Sequence, residues 1–230
     1  MLKISHNIPF GSGGNRICYR HPHHADRCLK VLRQDRTPEL RRKEKKFPSN
    51  LRPLKYFDEN LVELEVLNHL NTNYPEAIRR HIPQSFGMIE TDLGLAHSTS
   101  LISDSDGLIS QTLEQYIWKH GLDAAAERSI ENFKDDWSIQ PPPTRDLIPH
   151  NLVIKNLGDE MRLILIDGLG RKPRSANRWT AFTSRKRYQR RMKDFDQRIQ
   201  LILHRKTTNT GPTERLNNLK RNLAETIPEA

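Results

Sequence analysis

The chain has 230 residues and a formal net charge of +10, and this length fits one domain or two small lobes that share a cleft. It contains no apolar run of about 18 residues, so we expect no transmembrane helix, and its first residues lack the apolar core of a signal peptide. The two cysteines, Cys18 and Cys28, cannot form a disulfide framework and favour a cytoplasmic location.

The positive charge is concentrated in one segment. Residues 171–206 contain 13 Lys or Arg and 2 Asp or Glu, whereas residues 1–170 contain 22 and 23. A block of one charge sign indicates either an anionic partner or a strongly solvated face.

The N-terminal residues predict two strands around a glycine-rich turn. Residues 3–8 alternate weakly between apolar and polar and predict a first strand, and residues 17–19 predict a second. Between them lie Gly11, Gly13 and Gly14, which would let the backbone approach a phosphate closely. No helix follows, which argues against a Rossmann or Walker loop. A flexible hairpin tip is the alternative interpretation.

A lysine lies inside the third predicted strand, residues 27–32. Lys30 has apolar neighbours there, and a half-buried lysine needs a charged partner. The alternative is a lysine at the strand edge whose amine reaches water. Residues 33–50 are rich in charge and predict a solvated insertion or a short helix.

A helix is predicted over residues 59–70, with Asp58 as its N-cap. Its apolar stripe contains two acidic residues, Glu63 and Glu65. Two more strands are predicted to follow, giving five strands and one helix ahead of the polar segment at residues 103–107. These two strands are predicted at residues 82–89 and 93–102. Helices are then predicted over residues 110–120 and 123–133.

Residues 144–168 predict a β-hairpin, with strands at 152–154 and 163–166 around a polar turn. Asp146 and Asn151 lie at its entry and Asp167 at its exit. Because a hairpin brings its ends together, these side chains should converge. Two carboxylates beside an amide oxygen are typical of a magnesium-nucleotide phosphotransfer site. A chance occurrence of this spacing in an ordinary sheet is the alternative.

A long helix is predicted over residues 181–206, apolar on one side and basic on the other. The basic side contains Arg185, Lys186, Arg187, Arg190, Arg191 and Arg198. Residues 207–230 are polar and predict a weakly structured tail.

The segment RDLIPHN, residues 145–151, resembles the catalytic loop of protein kinases, and Asp167-Gly168 resembles their metal-binding motif. The resemblance implies that Asp146 is the catalytic carboxylate and that Asn151 and Asp167 bind magnesium. The sequence departs from the kinase pattern at Thr144 and Ile148, which stand in place of a histidine and a lysine.

The resemblance also assigns roles in the first lobe. Lys30 corresponds to the kinase lysine that binds the phosphates of ATP and pairs with a helix glutamate. Aligned on the apolar pair at residues 66–67, Glu63 is that glutamate and Glu65 is the runner-up. The glycines at 11, 13 and 14 correspond to the nucleotide loop, with Arg16 where a third glycine would stand.

The order of these motifs over residues 6–206 resembles the YrbL family of bacterial proteins, named for the PhoP regulatory network. The resemblance implies an α+β, protein-kinase-like fold with two lobes. Residues 1–103 would form a five-stranded antiparallel N-lobe with one helix. Residues 104–206 would form a reduced, mainly helical C-lobe, followed by the tail at 207–230.

Two functions follow from this resemblance. The first is an ATP- and magnesium-dependent phosphotransferase with an unidentified acceptor, a protein or a small molecule. The second is a catalytically silent, kinase-like binding module whose basic helix at 181–206 holds an anionic partner.

Overall fold

The computed structural model describes residues 1–170 and 178–211. The described chain forms two compact units: the first contains residues 1–68 and 84–101, and the second contains residues 69–83 and 102–211 apart from the segment at 171–177. The basic residues at 171–177, and the part of the predicted tail after residue 211, lie outside the described residues.

The first unit contains a five-stranded antiparallel sheet, as predicted. Its strands are β1 (Gly11–Ser12), β2 (Arg16–Arg20), β3 (Arg27–Leu32), β4 (Ser85–Thr91) and β5 (Gly94–Ser100). They are arranged in the order β1-β2-β3-β5-β4, so β3 lies in the middle of the sheet.

The first strand predicted from the sequence is wrong. Residues 3–8 form no strand; the glycine-rich stretch itself supplies β1, and only Leu2 makes a bridge, to Thr91. The weak alternation of apolar and polar residues at 3–8 therefore does not reflect a strand. The amide of Ile4 donates to the Asp92 carboxylate at 2.8 Å, which turns the Ile4 side chain into the core without a strand ladder.

Two helices follow the third strand: α1 (Pro38–Lys43), in the predicted insertion, and α2 (Glu59–Asn73). The carboxylate of Asp58 accepts from the amides of Asn60 at 2.9 Å and Leu61 at 3.1 Å, and so caps the start of α2 as predicted. One face of α2 is buried along the apolar stripe, at Val66, Leu67 and Leu70.

The second unit is mainly helical, with one β-hairpin. It contains α3 (Glu76–Arg79), α4 (Leu113–His120), α5 (Ala124–Ile139), the hairpin strands β6 (Leu152–Asn156) and β7 (Met161–Leu165), and α6 (Arg178–Thr207). Helix α5 packs against β7, and its Phe133 and Trp137 stack with ring centroids 4.6 Å apart in the core. The fold is therefore α+β, as predicted.

Residues 69–83 were expected in the first lobe but belong to the second unit. Ile78 is completely buried, and the ring of His81 donates from Nδ1 to the Leu163 carbonyl at 2.6 Å. The amide of Leu165 in turn donates to the His81 carbonyl at 2.8 Å. These bonds tie the segment to β7, and β4 begins only at Ser85, three residues after the predicted start.

Both outer edges of the hairpin are bonded to other parts of the second unit. On the β7 side the partner is His81, through its ring and its carbonyl. On the β6 side the amide of Ile154 donates to the Gln111 carbonyl at 2.9 Å, and Val153 forms a bridge with Thr112. Residue 112 is also the N-cap of α4, so the hairpin and this helix are held together.

None of the helices in the described part of the chain combines the length and the apolar character needed to cross a lipid bilayer.

Candidate active site

In the first unit three side chains cluster around a buried glutamate. Glu63 on α2 accepts from Lys30 Nζ at 2.8 Å through Oε1 and from Arg16 Nη1 at 2.5 Å through Oε2. His97 Nδ1 lies 3.0 Å from the same Oε2. The three partners come from neighbouring strands, because Lys30 lies on β3, which pairs with β2 on one side and β5 on the other.

The pairing of Lys30 with Glu63 is the one that the sequence predicts. Glu65, the alternative partner, is exposed two residues further along α2. A helix turns by about 100° per residue, so residues two apart point in different directions. Only Glu63 faces the sheet.

Sequence reasoning missed Arg16 and His97 as partners of Glu63. Arg16 was noted only because it stands where a third glycine was expected, and its side chain is 6% exposed. Its contact with Glu63 spans 47 residues of sequence. His97 was assigned only to a strand, and its other ring nitrogen contacts the Ser85 hydroxyl at 2.8 Å.

The charges around Glu63 control its protonation. Burial alone would raise the pKa of the Glu63 carboxyl, but the positive charges of Arg16 and Lys30 and the hydrogen bond from His97 hold that pKa well below its usual range. Glu63 is therefore ionised at neutral pH. A buried carboxylate in this state depends on its partners, since removing one side of a buried ion pair leaves an uncompensated charge.

The three glycines of the predicted nucleotide loop are not required by the fold around them. None of them is among the glycines with positive φ. A Cβ on Gly11 or Gly13 would meet its nearest atom at 3.7 or 3.6 Å, and one on Gly14 would meet open space. The amide of Gly13 donates to the Arg16 carbonyl at 2.8 Å, so this N–H is used within the turn.

In the second unit, backbone hydrogen bonds join the two ends of the hairpin. The amides of Arg145 and Asp146 both donate to the Gly168 carbonyl, at 2.7 and 3.0 Å. The amide of Ile166 donates to the Asn151 carbonyl at 2.9 Å. The side-chain amide of Asn151 donates from Nδ2 to the Asp146 carbonyl, also at 2.9 Å. The two ends of the hairpin thus meet through three main-chain bonds and one bond from the Asn151 side chain, and the convergence of the Asp146 and Asp167 carboxylates stays a prediction.

Gly168 makes this close approach possible. Its φ is +84°, in the region that favours glycine. A Cβ at this position would overlap the carbonyl oxygen of Asp146 and lie 2.8 Å from Asn151 Nδ2. A side chain at residue 168 would therefore push residues 146–151 away from Asp167.

The oxygen atoms here suit a magnesium ion. Because the Asn151 nitrogen donates to Asp146, its amide oxygen is the atom left for a cation, and Asp167 supplies a carboxylate one residue before Gly168. One Asp167 oxygen accepts from the Gly168 amide at 2.7 Å, which fixes the carboxylate. Magnesium is usually held by one or two such groups together with phosphate and water. Within residues 1–170 and 178–211, no group of three or more His, Cys, Asp or Glu could hold a metal ion by itself.

The Asp146 carboxylate is placed differently from these two oxygen donors. It accepts from Arg145 Nε at 2.7 Å, and both side chains are about half exposed, at 50% for Arg145 and 48% for Asp146. Asp146 can therefore meet a substrate that arrives from solvent.

Comparisons with known proteins extend this description. The chain is 27% identical over 177 residues to the uncharacterised protein YrbL of Escherichia coli strain K12, covering 74% of each chain, and the same figures hold for YrbL of Shigella flexneri. Among solved structures, the Legionella pneumophila Lpg2603 kinase bound to IP6 aligns with a TM-score of 0.40 and 13% identity. That alignment covers 86% of this chain and 59% of the kinase chain.

A family model described as PhoP regulatory network protein YrbL matches residues 2–200. This span includes Glu63 with its partners Arg16, Lys30 and His97, which we call the Glu63 cluster, and the whole hairpin with its two joined ends. The chain therefore belongs to the YrbL family of PhoP regulatory network proteins, as the order of its motifs predicts.

Proposed function

We propose that this protein is an ATP- and magnesium-dependent phosphotransferase. The observation that carries the proposal is the joined hairpin, in which Asn151 and Gly168 hold Asp146 and Asp167 close together. The buried pair of Lys30 and Glu63 supports it, because a nucleotide's phosphates need a fixed cation.

Each residue has a distinct role in the proposal. Lys30, oriented by Glu63, binds the nucleotide phosphates, and the backbone at Gly11 and Gly14 allows their close approach. Asn151 and Asp167 hold magnesium, which when bound neutralises charge on the phosphates. These roles assign the first unit to nucleotide binding and the second to metal binding and catalysis.

Asp146 acts on the acceptor. It orients the acceptor hydroxyl and takes its proton as the hydroxyl oxygen bonds to the γ-phosphorus. The bond from that phosphorus to the β-phosphate oxygen breaks, and ADP carries away the electron pair. The products are ADP and a phosphorylated acceptor.

The test is a thermal melt with and without magnesium-ATP. A ligand selective for the folded state stabilises it by about 2.7 kcal/mol at a hundred times its dissociation constant. We expect this gain for the wild type and its loss in Lys30→Ala. That variant is informative because Glu63 keeps Arg16 and His97 as partners. An unchanged melting curve at millimolar magnesium-ATP would exclude the enzyme.

A second candidate function is a catalytically silent binding module for an anionic partner. The exposed basic side of α6 favours it, since four cationic side chains lie within six residues there: Arg185, Lys186, Arg187 and Arg190. Nucleotide binding without any phosphoryl transfer or ATP hydrolysis by the wild type would favour this function over the enzyme.

A further inference from the structure

An arginine is bonded to the carboxylate of Asp146: Arg145 Nε donates to Asp146 Oδ2 at 2.7 Å. A second arginine lies on α6, which packs against the short 3₁₀ turn at Pro149–Asn151, the last three residues of the segment 145–151. Buried Met192 and Phe195 anchor this stretch of α6 in the core.

The second arginine is Arg191, which immediately precedes Met192. Its side chain is partly buried, and its Nε is a buried atom that finds no hydrogen-bond partner within the described residues. Burial lowers the pKa of the Arg191 guanidinium, while the nearby Asp146 carboxylate raises it. The contact of α6 with the 3₁₀ turn that ends at Asn151, whose side chain donates to the Asp146 carbonyl, brings α6 to the segment that contains Asp146.

Charges of both signs act on Arg191. Besides burial, Arg190 and Arg187 lower its pKa by repulsion, and Asp146 and Asp194 raise it. The buried Nε atom, which has no hydrogen-bond partner among the described residues, indicates a missing acceptor, because an unsatisfied buried donor is costly. The planar fork of an arginine matches the two oxygens of a phosphate or a carboxylate.

We propose that the acceptor bound beside Asp146 is itself an anion, carrying a phosphate or a carboxylate, and that Arg145 and Arg191 bind this group. The inference rests on the proposed function, because the role of Asp146 makes this the acceptor site. It also assigns a function to the ion pair between Arg145 and Asp146. An anion that engages Arg145 draws it away from Asp146 and leaves the carboxylate to meet the acceptor hydroxyl.

The test uses sodium pyrophosphate as the probe, titrated calorimetrically into the full chain in EDTA, so that neither nucleotide nor magnesium is needed. Losing a charged hydrogen-bond donor should weaken pyrophosphate binding at least about tenfold in Arg191→Gln and in Arg145→Gln. Arg198→Gln is the matched control. It lies seven residues further on the exposed side of α6, about 10 Å along the helix, and should change binding less than about twofold.

Two further variants distinguish an anion bound beside Asp146 from an anion bound at the nucleotide phosphates. Asp146→Asn should tighten pyrophosphate binding, because it removes the carboxylate that repels the anion and competes for Arg145. Lys30→Ala should leave this binding unchanged even if it abolishes stabilisation by magnesium-ATP. Arg145 is half exposed, so its variant remains interpretable if Arg191→Gln fails to fold.

The outcomes separate this inference from the proposed function. Pyrophosphate binding that is lost in Lys30→Ala and unaffected in Arg191→Gln would assign the anion to the nucleotide phosphates and overturn the acceptor inference alone. Absence of pyrophosphate binding, or equal loss in Arg198→Gln, would also overturn it. Pyrophosphate binding through Arg191 in a protein that magnesium-ATP does not stabilise would keep the anion site and remove its role as an acceptor site.

Discussion

Replacing Glu63 by Gln should strongly destabilise the first unit. The Glu63 side chain is 7% exposed and accepts from two cations that are equally buried. Gln keeps the shape but removes the negative charge, so Arg16 and Lys30 are left side by side in the interior. Leaving a buried charge without its partner costs about 3–5 kcal/mol.

Urea unfolding followed by circular dichroism measures this cost directly. We expect the free energy of unfolding of Glu63→Gln to fall by about 3–5 kcal/mol. Glu65→Gln is the matched control, because it is the same substitution on the same helix at an exposed position. A surface change of this kind usually stays within about 0.5 kcal/mol. If the two variants unfold within 0.5 kcal/mol of each other, the reasoning about the cluster is wrong.

The pH dependence gives the same cluster a second test. The pKa of Glu63 lies well below its ordinary value of 4.5 in the folded protein, so folding favours the ionised form. The stabilisation is complete above pH 4.5 and is lost as the pH falls through the lower, folded pKa. The difference in unfolding free energy between wild type and Glu63→Gln should therefore be constant from pH 7 to about 5 and shrink in stronger acid. A difference that grows on acidification would refute the assignment.

Three further predictions concern the second unit. Gly168→Ala should lower the free energy of unfolding by clearly more than Gly158→Ala, because both residues have positive φ but only at 168 would the new Cβ overlap other atoms; equal urea midpoints would contradict this. Asp167→Asn should weaken both magnesium-dependent ATP binding and turnover, whereas Asp146→Asn should keep ATP binding and lower turnover by a factor of about 10²–10⁴. If the two variants behave identically in calorimetry and in a product assay, the resemblance of residues 145–151 and 167–168 to kinase motifs is coincidental. If α6 binds a polyanion such as heparin, the affinity for heparin should fall steeply as the salt concentration rises. Replacing four exposed residues by Gln should make this dependence on salt less steep: Arg185, Lys186, Arg187 and Arg190. Binding that does not depend on salt would contradict the prediction.

Local patterns in the sequence were sufficient where one element determines the outcome. Asp58 before an apolar stripe predicts the start of α2, and its carboxylate caps that helix in the structure. The two apolar runs around a polar turn predict the hairpin, and they pair as β6 and β7. Helix spacing placed both Glu63 and Glu65 in the apolar stripe, and the resemblance to kinases then favoured Glu63, which is the partner of Lys30.

Contacts between elements that are far apart in the chain could not be predicted from the sequence. The contact of Arg16 with Glu63 depends on the register between β2 and β3 and on how α2 meets the sheet, none of which a single sequence specifies. The strand predicted at residues 3–8 failed because a side-chain contact from Asp92 satisfies that backbone. The burial of the Arg191 Nε atom depends on the packing of α6, so the sequence showed Arg191 only as one of several basic residues.

The bonded edges of the hairpin have a consequence for how other chains can bind. An exposed strand edge is a template to which a peptide or a second copy can add a strand, and proteins protect such edges. Here the carbonyl and the ring of His81 occupy the amide of Leu165 and the carbonyl of Leu163 on β7, and the carbonyl of Gln111 occupies the amide of Ile154 on β6. A peptide that added a strand to the hairpin between Asn151 and Asp167 would have to displace these bonds, so the hairpin resists strand addition at these positions.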